Sequence, residues 1–126
     1  MFFSPEKYLT CVGNPWSRKY LALLRCSCHP LNIEKGRHKQ IPRNDRLCQL
    51  CLKKNMNIIE DEYHFISICD CYSDLRKQYL PTYDICSYNE FNYLMMTENE
   101  TELIDLATFV VKTFKLREIL LQEVTV

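Results

Sequence analysis

The chain has 126 residues, of which 47% are hydrophobic and 25% charged, with only two glycines and five prolines. This composition is typical of one globular domain and excludes a low-complexity or disordered chain. No apolar run approaches the roughly 20 residues that a membrane-spanning helix needs, and the first residues lack the pattern of a secretory signal. We therefore expect an intracellular protein whose eight cysteines are reduced, and so bind metal or lie buried as thiols.

The net charge of zero conceals a strong polarity along the chain. Residues 1–55 contain eleven basic and three acidic residues, which gives this part a net charge of +8. The remaining residues contain five basic and thirteen acidic residues, a net charge of −8. A basic front part favours an anionic partner such as nucleic acid.

Caps and turn residues divide residues 1–47 into two predicted helices and a basic loop. Ser4 followed by Pro5 predicts a short helix that extends to about Val12. A second helix begins near residue 16 and stops at His29-Pro30; its predicted apolar face, at three- and four-residue spacing, comprises Trp16, Tyr20, Leu23, Leu24 and Ser27. Residues 31–47 show no sustained period, so we expect a loop there with one helical turn at most.

Three further helices are predicted in residues 73–126. The segment SDLRKQYL forms the first and ends at Pro81. Ser87 with Glu90 has the spacing of a capping box, as has Asn99 with Glu102, and the second box begins the longest helix, which ends near Gln122. We expect its apolar side to pack on the helix of residues 16–26; this side comprises Leu103, Leu106, Ala107, Val110, Phe114 and Leu121.

Between these helices lies the segment RLCQLCLKKNMNIIEDEYHFISICDC, with four of the eight cysteines. Cys48, Cys51, His64 and Cys69 have the spacing C-x2-C-x12-H-x4-C. Two intervening residues let the first two sulfurs turn toward one point, and structural zinc is held by four thiolate and imidazole ligands. We predict one zinc ion at these four residues, with residues around His64 in a short helix and the acidic residues 60–62 at its positive end.

Alternatives to this zinc site remain open. Cys71 could replace Cys69 as the fourth ligand, and the residues could instead be buried thiols beside a packed histidine. A redox C-x-x-C is disfavoured because no βαβ pattern surrounds it. A second metal site at Cys26, Cys28 and His29 lacks a matching ligand pair nearby.

The predicted fold is thus a small, mainly α-helical single domain, residues 1–126, with a CCHC zinc knuckle. It divides into a helix with a basic loop (16–47), the zinc knuckle (46–72) and C-terminal helices (73–126). We expect β structure only as a short hairpin near residues 46–60.

Residues 16–81 resemble the C-terminal region of reverse transcriptases from non-LTR (LINE-type) retrotransposons. The resemblance rests on three blocks that occur in the same order: HPLNIEKGR, PRNDRLCQLC and EDEYHFISIC, followed by Tyr72 and Arg76. Cys26 and Cys28 depart from the family pattern. The resemblance implies a nucleic-acid-binding tail module, and possible contact with an upstream polymerase domain of the parent polyprotein.

We expect no enzymatic activity, because the chain lacks the size and the paired aspartates of a polymerase. The predicted ligand is single-stranded RNA or DNA, bound with weak sequence preference through phosphate neutralisation. The predicted contact residues are Lys35, Arg37, Lys39, Arg43, Arg46, Lys53 and Lys54. The alternative is a zinc-stabilised protein-interaction domain that uses the acidic half and the last helix.

Overall fold

A computed structural model of the chain describes residues 12–81 and 87–124. The helices in these ranges are α1 (Pro15–Arg25), α2 (Asn32–His38), α3 (Gln49–Leu52), α4 (Ser73–Tyr79), α5 (Tyr88–Met96) and α6 (Glu100–Val124). Arg43–Asp45 and Asp70–Tyr72 are 3₁₀ turns, and His64–Ile68 is a π-helical turn. The predicted mainly α fold is confirmed for this part of the chain. The predicted helix from Ser4 lies outside the described residues. Among the described helices, none has the length and hydrophobicity of a membrane span.

Helix α1 begins and ends as local sequence dictates. The side-chain oxygen of Asn14 accepts hydrogen bonds from the backbone N–H groups of Trp16 and Ser17, at 2.9 and 3.1 Å, and Pro15 follows in the first helical position. At the other end Ser27 has a left-handed φ of 55°, and the Cys28 N–H donates to the Leu23 carbonyl at 2.9 Å. This is a Schellman C-cap, so the helix stops before the predicted His29-Pro30.

The predicted apolar face of α1 is partly wrong. Trp16 is 61% exposed, and Ser27 is exposed beyond the helix end. The buried positions are Ser17, Leu21 and Leu24. Tyr20 still reaches the core, where its ring stacks on Phe114 with centroids 5.5 Å apart.

The loop predicted for residues 31–47 is also wrong in part, because α2 occupies two turns of it. The first N–H groups of α2 are satisfied by a residue far along the chain. Asn32 N–H donates to the Glu60 carboxylate at 2.8 Å, and Ile33 N–H donates to the Glu60 carbonyl at 2.9 Å. A cap supplied by tertiary contact leaves no local signal in the sequence.

The two predicted capping boxes differ in outcome. Asn99 caps α6, because its side chain accepts the Glu102 N–H at 3.1 Å. The Glu102 carboxylate instead accepts from Thr97 and Tyr93, at 2.6 and 2.9 Å. Ser87 is the N-cap residue of α5 but makes no side-chain capping bond.

Helix α6 packs most extensively on α1, as predicted, and also lies on α4 and α3. The predicted apolar side of α6 is buried except at Leu121, which is partly buried. Phe65, from the π-helical turn, is fully buried against it; its ring centroid is 4.5 Å from that of Phe114 and 5.4 Å from that of Tyr72. The core therefore joins the cysteine-rich segment to α6.

A buried ion pair forms a second link between the same two parts. Arg117 on α6 donates two hydrogen bonds to the Glu60 carboxylate, at 2.8 and 2.9 Å, and the two side chains are only 6% and 3% exposed. Burial alone would lower the pKa of Arg117, but the hydrogen bonds and negative charge of Glu60 outweigh it and raise that pKa. Because Glu60 also caps α2, one carboxylate holds α2 and α6 together.

We expect Arg117→Met to destabilise the protein by about 3–5 kcal/mol, because it leaves the Glu60 carboxylate buried without its cation. Urea unfolding measures the change in the free energy of unfolding. Lys115→Met, at an exposed position on the same helix, should cost less than about 0.5 kcal/mol. Similar values for the two variants would contradict this role of the ion pair.

Candidate metal centre

The first two candidate ligands lie at a tight reversal of the chain. Leu47 and Ile59 form an antiparallel bridge, and the Cys48 N–H donates to the Ile58 carbonyl at 2.8 Å. Cys51 lies on α3, between the two bridged residues in sequence. After α3 the chain reverses direction at Asn55, which has a left-handed φ of 60°. The predicted short hairpin near residues 46–60 is therefore confirmed as this single bridge.

The second pair of ligands comes from the π-helical turn. Asp61 caps its start by accepting the His64 N–H at 2.8 Å, and the Cys69 N–H donates to the His64 carbonyl at 2.9 Å. Five residues of α-helix would rotate Cys69 by about 140° away from His64. The wider turn, with its i to i+5 hydrogen bond, lets both side chains face the same point. A helix was predicted here, but its π form was not.

Arg76 on α4 fixes the back of this turn. Its guanidinium donates to the carbonyls of Ile66 and Cys69, at 2.8 and 2.9 Å. These bonds satisfy carbonyl groups that the irregular turn leaves open. Arg76 belonged to the sequence resemblance but had no assigned role.

The four predicted ligands converge. Cys48, Cys51, His64 and Cys69 are all buried, and one ligand atom from each lies within 4.8 Å of all the others. Cys51 Sγ is 3.8 Å from Cys69 Sγ and 3.4 Å from His64 Nε2. A tetrahedral ion about 2.3 Å from sulfur and 2.0 Å from nitrogen separates such atoms by about 3.8 and 3.5 Å. The cluster could therefore hold a metal ion.

The two buried histidines show how a ligand differs from a packed side chain. His29 has both ring nitrogens engaged: Nδ1 accepts the Leu31 N–H at 3.3 Å, and Nε2 lies 2.8 Å from a Glu62 oxygen. In His64, Nε2 faces the thiols, and Nδ1 is buried without a hydrogen-bond partner among the described residues. Buried polar atoms are normally paired. Nε2 of His64 is therefore the nitrogen that could bind a metal ion, whereas both ring nitrogens of His29 are engaged within the protein.

Electrostatics in the cluster concentrates one negative charge on one sulfur. The hydrogen bond from Cys69, with help from His64, lowers the pKa of Cys48 to about 3 despite burial. Burial and the nearby charge of Cys48 raise the pKa of Cys51 to about 11. The hydrogen bond to Cys48 and burial also raise the pKa of Cys69. Without a cation, burial and the nearby negative charge oppose ionisation of all three thiols together.

The remaining described cysteines lie outside this cluster. Cys71 is partly buried, and its sulfur is 3.9 Å from the Lys54 ammonium rather than among the four ligand atoms. The structure thus favours Cys69 over Cys71 as the fourth ligand. Cys26 and Cys28 are exposed, whereas the neighbouring His29 is buried against Glu62, so these three do not form a second cluster. Cys11 and Cys86 fall outside the described residues.

Three of the predicted nucleic-acid contacts lie around one cleft. Lys35 on α2, Lys39 directly after the end of α2, and Arg46 line it. The guanidinium of Arg46 also donates to the carbonyls of Ile41 and Ile33, at 2.9 and 3.1 Å. Arg46 therefore anchors α2 to the knuckle, a role that sequence reasoning missed.

The other four predicted contacts are exposed and do not line this cleft. Arg37 pairs with Glu34 at 2.8 Å, and Arg43 lies 3.9 Å from an Asp61 oxygen. Lys53 and Lys54 follow the end of α3. Salt bridges as exposed as these contribute little and exchange readily for another anion.

The geometry predicts that Cys69→Ser abolishes tetrahedral metal binding and that Cys71→Ser leaves it intact. Cobalt(II) serves as a probe, because its visible absorption reports tetrahedral thiolate coordination. The two variants change the same chemical group at positions two residues apart. Loss of the cobalt spectrum in Cys71→Ser alone would reverse the ligand assignment.

Metal affinity should rise with pH. Cys51 and Cys69 have raised pKa values and keep their protons at pH 7, whereas only thiolates bind metal. Binding must therefore release about two protons per ion, and the logarithm of the affinity should increase by about two per pH unit between pH 7 and 8. A metal titration at several pH values measures this slope. A slope near zero would mean that the thiols are already ionised.

No family model, curated protein or solved structure matches this chain. The metal centre is accordingly described from its own geometry. The described residues form a small helical fold with a buried Cys3His cluster that could hold a metal ion.

Proposed function

We propose that the cluster binds one zinc ion and that this ion is structural. Three thiolates and one imidazole are the donor set that zinc prefers, and four protein ligands close its tetrahedral shell. All four side chains are at most 3% exposed, so no position faces a substrate. When bound, the ion would cross-link the hairpin to the π-helical turn. This closed shell supports a structural rather than a catalytic role for the ion.

We further propose that the zinc-stabilised fold binds single-stranded RNA or DNA. The observation that carries this proposal is the cleft lined by Lys35, Lys39 and Arg46, which lies directly against the hairpin. Arg46 anchors α2 there through the Ile33 carbonyl and also donates to the carbonyl of Ile41, which follows the helix. The knuckle thus orders a basic surface whose ammonium groups can neutralise phosphates without base recognition. Arg37, Arg43, Lys53 and Lys54 would extend this surface.

The resemblance to the tail of LINE-type reverse transcriptases supports the same proposal. Its basic, cysteine and acidic-aromatic blocks contribute α2, the knuckle and the π-helical turn. In that setting the chain would hold template RNA or target DNA beside a polymerase domain inside the cell. The polymerase would supply the catalysis.

The alternative, a protein-interaction domain, is favoured by one observation. Helix α5 exposes Tyr88, Tyr93 and Met96, which are 60%, 54% and 79% accessible. Exposed aromatic and methionine side chains are common at protein interfaces. The two functions use different surfaces. Variants of the cleft lysines should therefore affect nucleic-acid binding but not a protein interaction through α5.

We expect Lys35→Ala/Lys39→Ala to weaken binding of single-stranded oligonucleotides of every sequence by on the order of tenfold at about 0.1 M salt. The salt slope should fall by about 0.7 for each phosphate that the variant no longer neutralises. Fluorescence anisotropy across a salt series measures both quantities. The matched control is Lys77→Ala/Lys115→Ala, which removes two exposed lysines from α4 and α6.

Equal weakening in the two double variants would mean that only net charge matters and that the cleft is not the binding surface. If the parent chain with bound zinc fails to bind any oligonucleotide, the nucleic-acid proposal is wrong. The protein-interaction alternative then becomes the better explanation of the fold.

A further inference from the structure

The cleft beside the knuckle has a defined shape and a mixed lining. Its volume is about 280 Å³, and it lies between α2, the 3₁₀ turn Arg43–Asp45 and α3. This is near the lower end of small-ligand pockets, about 300–1,000 Å³. Ile41 and Leu52, at 36% and 45% exposure, supply apolar surface. Such a mixed lining suits one small ligand that is partly polar.

The floor of the cleft is held in place by packing and by hydrogen bonds. A Cβ atom on Gly36 would lie 2.5 Å from the Arg46 Cγ, so glycine is required for the close approach of the Arg46 stem. The Asn32 side chain donates to the Leu47 carbonyl at 2.6 Å. A binding surface fixed before the ligand arrives costs less conformational entropy on binding.

Four polar side chains in the lining have no hydrogen-bond or ion-pair partner among the described residues: Lys35, Lys39, Asp45 and Gln49. The two lysines are cations. Asp45 is the one carboxylate in the lining, and a carboxylate can only accept hydrogen bonds. The cleft therefore offers positive charge and an acceptor pair to the same ligand.

We propose that this cleft receives one unstacked guanine nucleotide of the bound single strand, an inference that rests on the nucleic-acid function proposed above. Lys35 and Lys39 would bind its phosphate, and Ile41 and Leu52 would contact the faces of the base. Asp45 would accept hydrogen bonds from the base edge, with Gln49 beside it. Single-stranded nucleic acids are commonly read by such splayed bases.

Guanine follows from the chemistry of Asp45. The Watson–Crick edge of guanine presents two adjacent N–H donors, N1–H and the N2 amino group, which match the two oxygens of a carboxylate. Adenine and cytosine present one amino group beside a ring nitrogen whose lone pair would repel the second oxygen. Uracil presents one N–H between two carbonyl groups. Asp45 thus turns a basic cleft into one with a base preference.

The test uses the full chain with bound zinc and short oligouridines that carry one central guanine, adenine, cytosine or uracil. We expect the guanine oligonucleotide to bind roughly tenfold more tightly than the other three, as for a good bidentate pair. Asp45→Asn should abolish this preference without weakening binding of the all-uracil strand. Asp74→Asn, a change of equal charge at an exposed site on α4, should preserve it.

Equal affinity for all four oligonucleotides in the parent chain, or an unchanged guanine preference in Asp45→Asn, would overturn the inference while leaving the nucleic-acid function standing. A titration with guanosine 5′-monophosphate, followed by NMR shifts of α2 and α3 amides, tests the cleft without the strand. Shifts with this nucleotide but no oligonucleotide binding would retain the pocket and reject the nucleic-acid function. Absence of both would reject the two proposals together.

Discussion

The fold depends on one buried cluster, in which three cysteine sulfurs and one imidazole lie close enough together to bind a single ion. These ligand atoms lie within 4.8 Å of one another; the hydrogen bond from Cys69 lowers the pKa of Cys48, whereas burial raises the pKa of Cys51 and the hydrogen bond to Cys48 raises that of Cys69. A bound divalent cation would stabilise all three thiolates and would connect two segments that have little regular structure of their own. Structural zinc contributes on the order of 10 kcal/mol in small fingers, which is comparable to the net stability of a whole domain.

The rest of the structure is arranged around this centre by a few polar contacts. Glu60 receives Arg117 from α6 and caps α2, while Arg46 reaches back from the hairpin to the α2 region. Phe65, next to His64, fills the core against Phe114. Metal binding, core packing and the basic surface are therefore mechanically connected. A nucleic-acid surface formed by α2 would then depend on the proposed zinc ion through these contacts.

The sequence predicted the parts of the fold that are encoded locally. The C-x2-C-x12-H-x4-C spacing identified the four residues that converge in the buried cluster, and the asparagine cap of α6 has its signal within three residues. The helix α2 was missed because Glu60, which caps it, lies 28 residues away. Trp16 was assigned to the apolar face from spacing alone, but it sits in the first turn of α1, where it is exposed. The π form of the His64 turn could have been predicted from the sequence, because two residues with four others between them do not lie on one face of an α-helix.

The central claim is that one zinc ion, held by Cys48, Cys51, His64 and Cys69, orders the cysteine-rich segment. Amide hydrogen exchange of the purified chain, with and without a zinc chelator, tests it most directly. We expect chelation to remove one zinc ion per chain and to abolish protection across residues 46–72, including the Cys48 and Cys69 amides that donate to Ile58 and His64. A chain that holds no zinc, or that keeps full protection of these amides after its zinc is removed, would contradict the account.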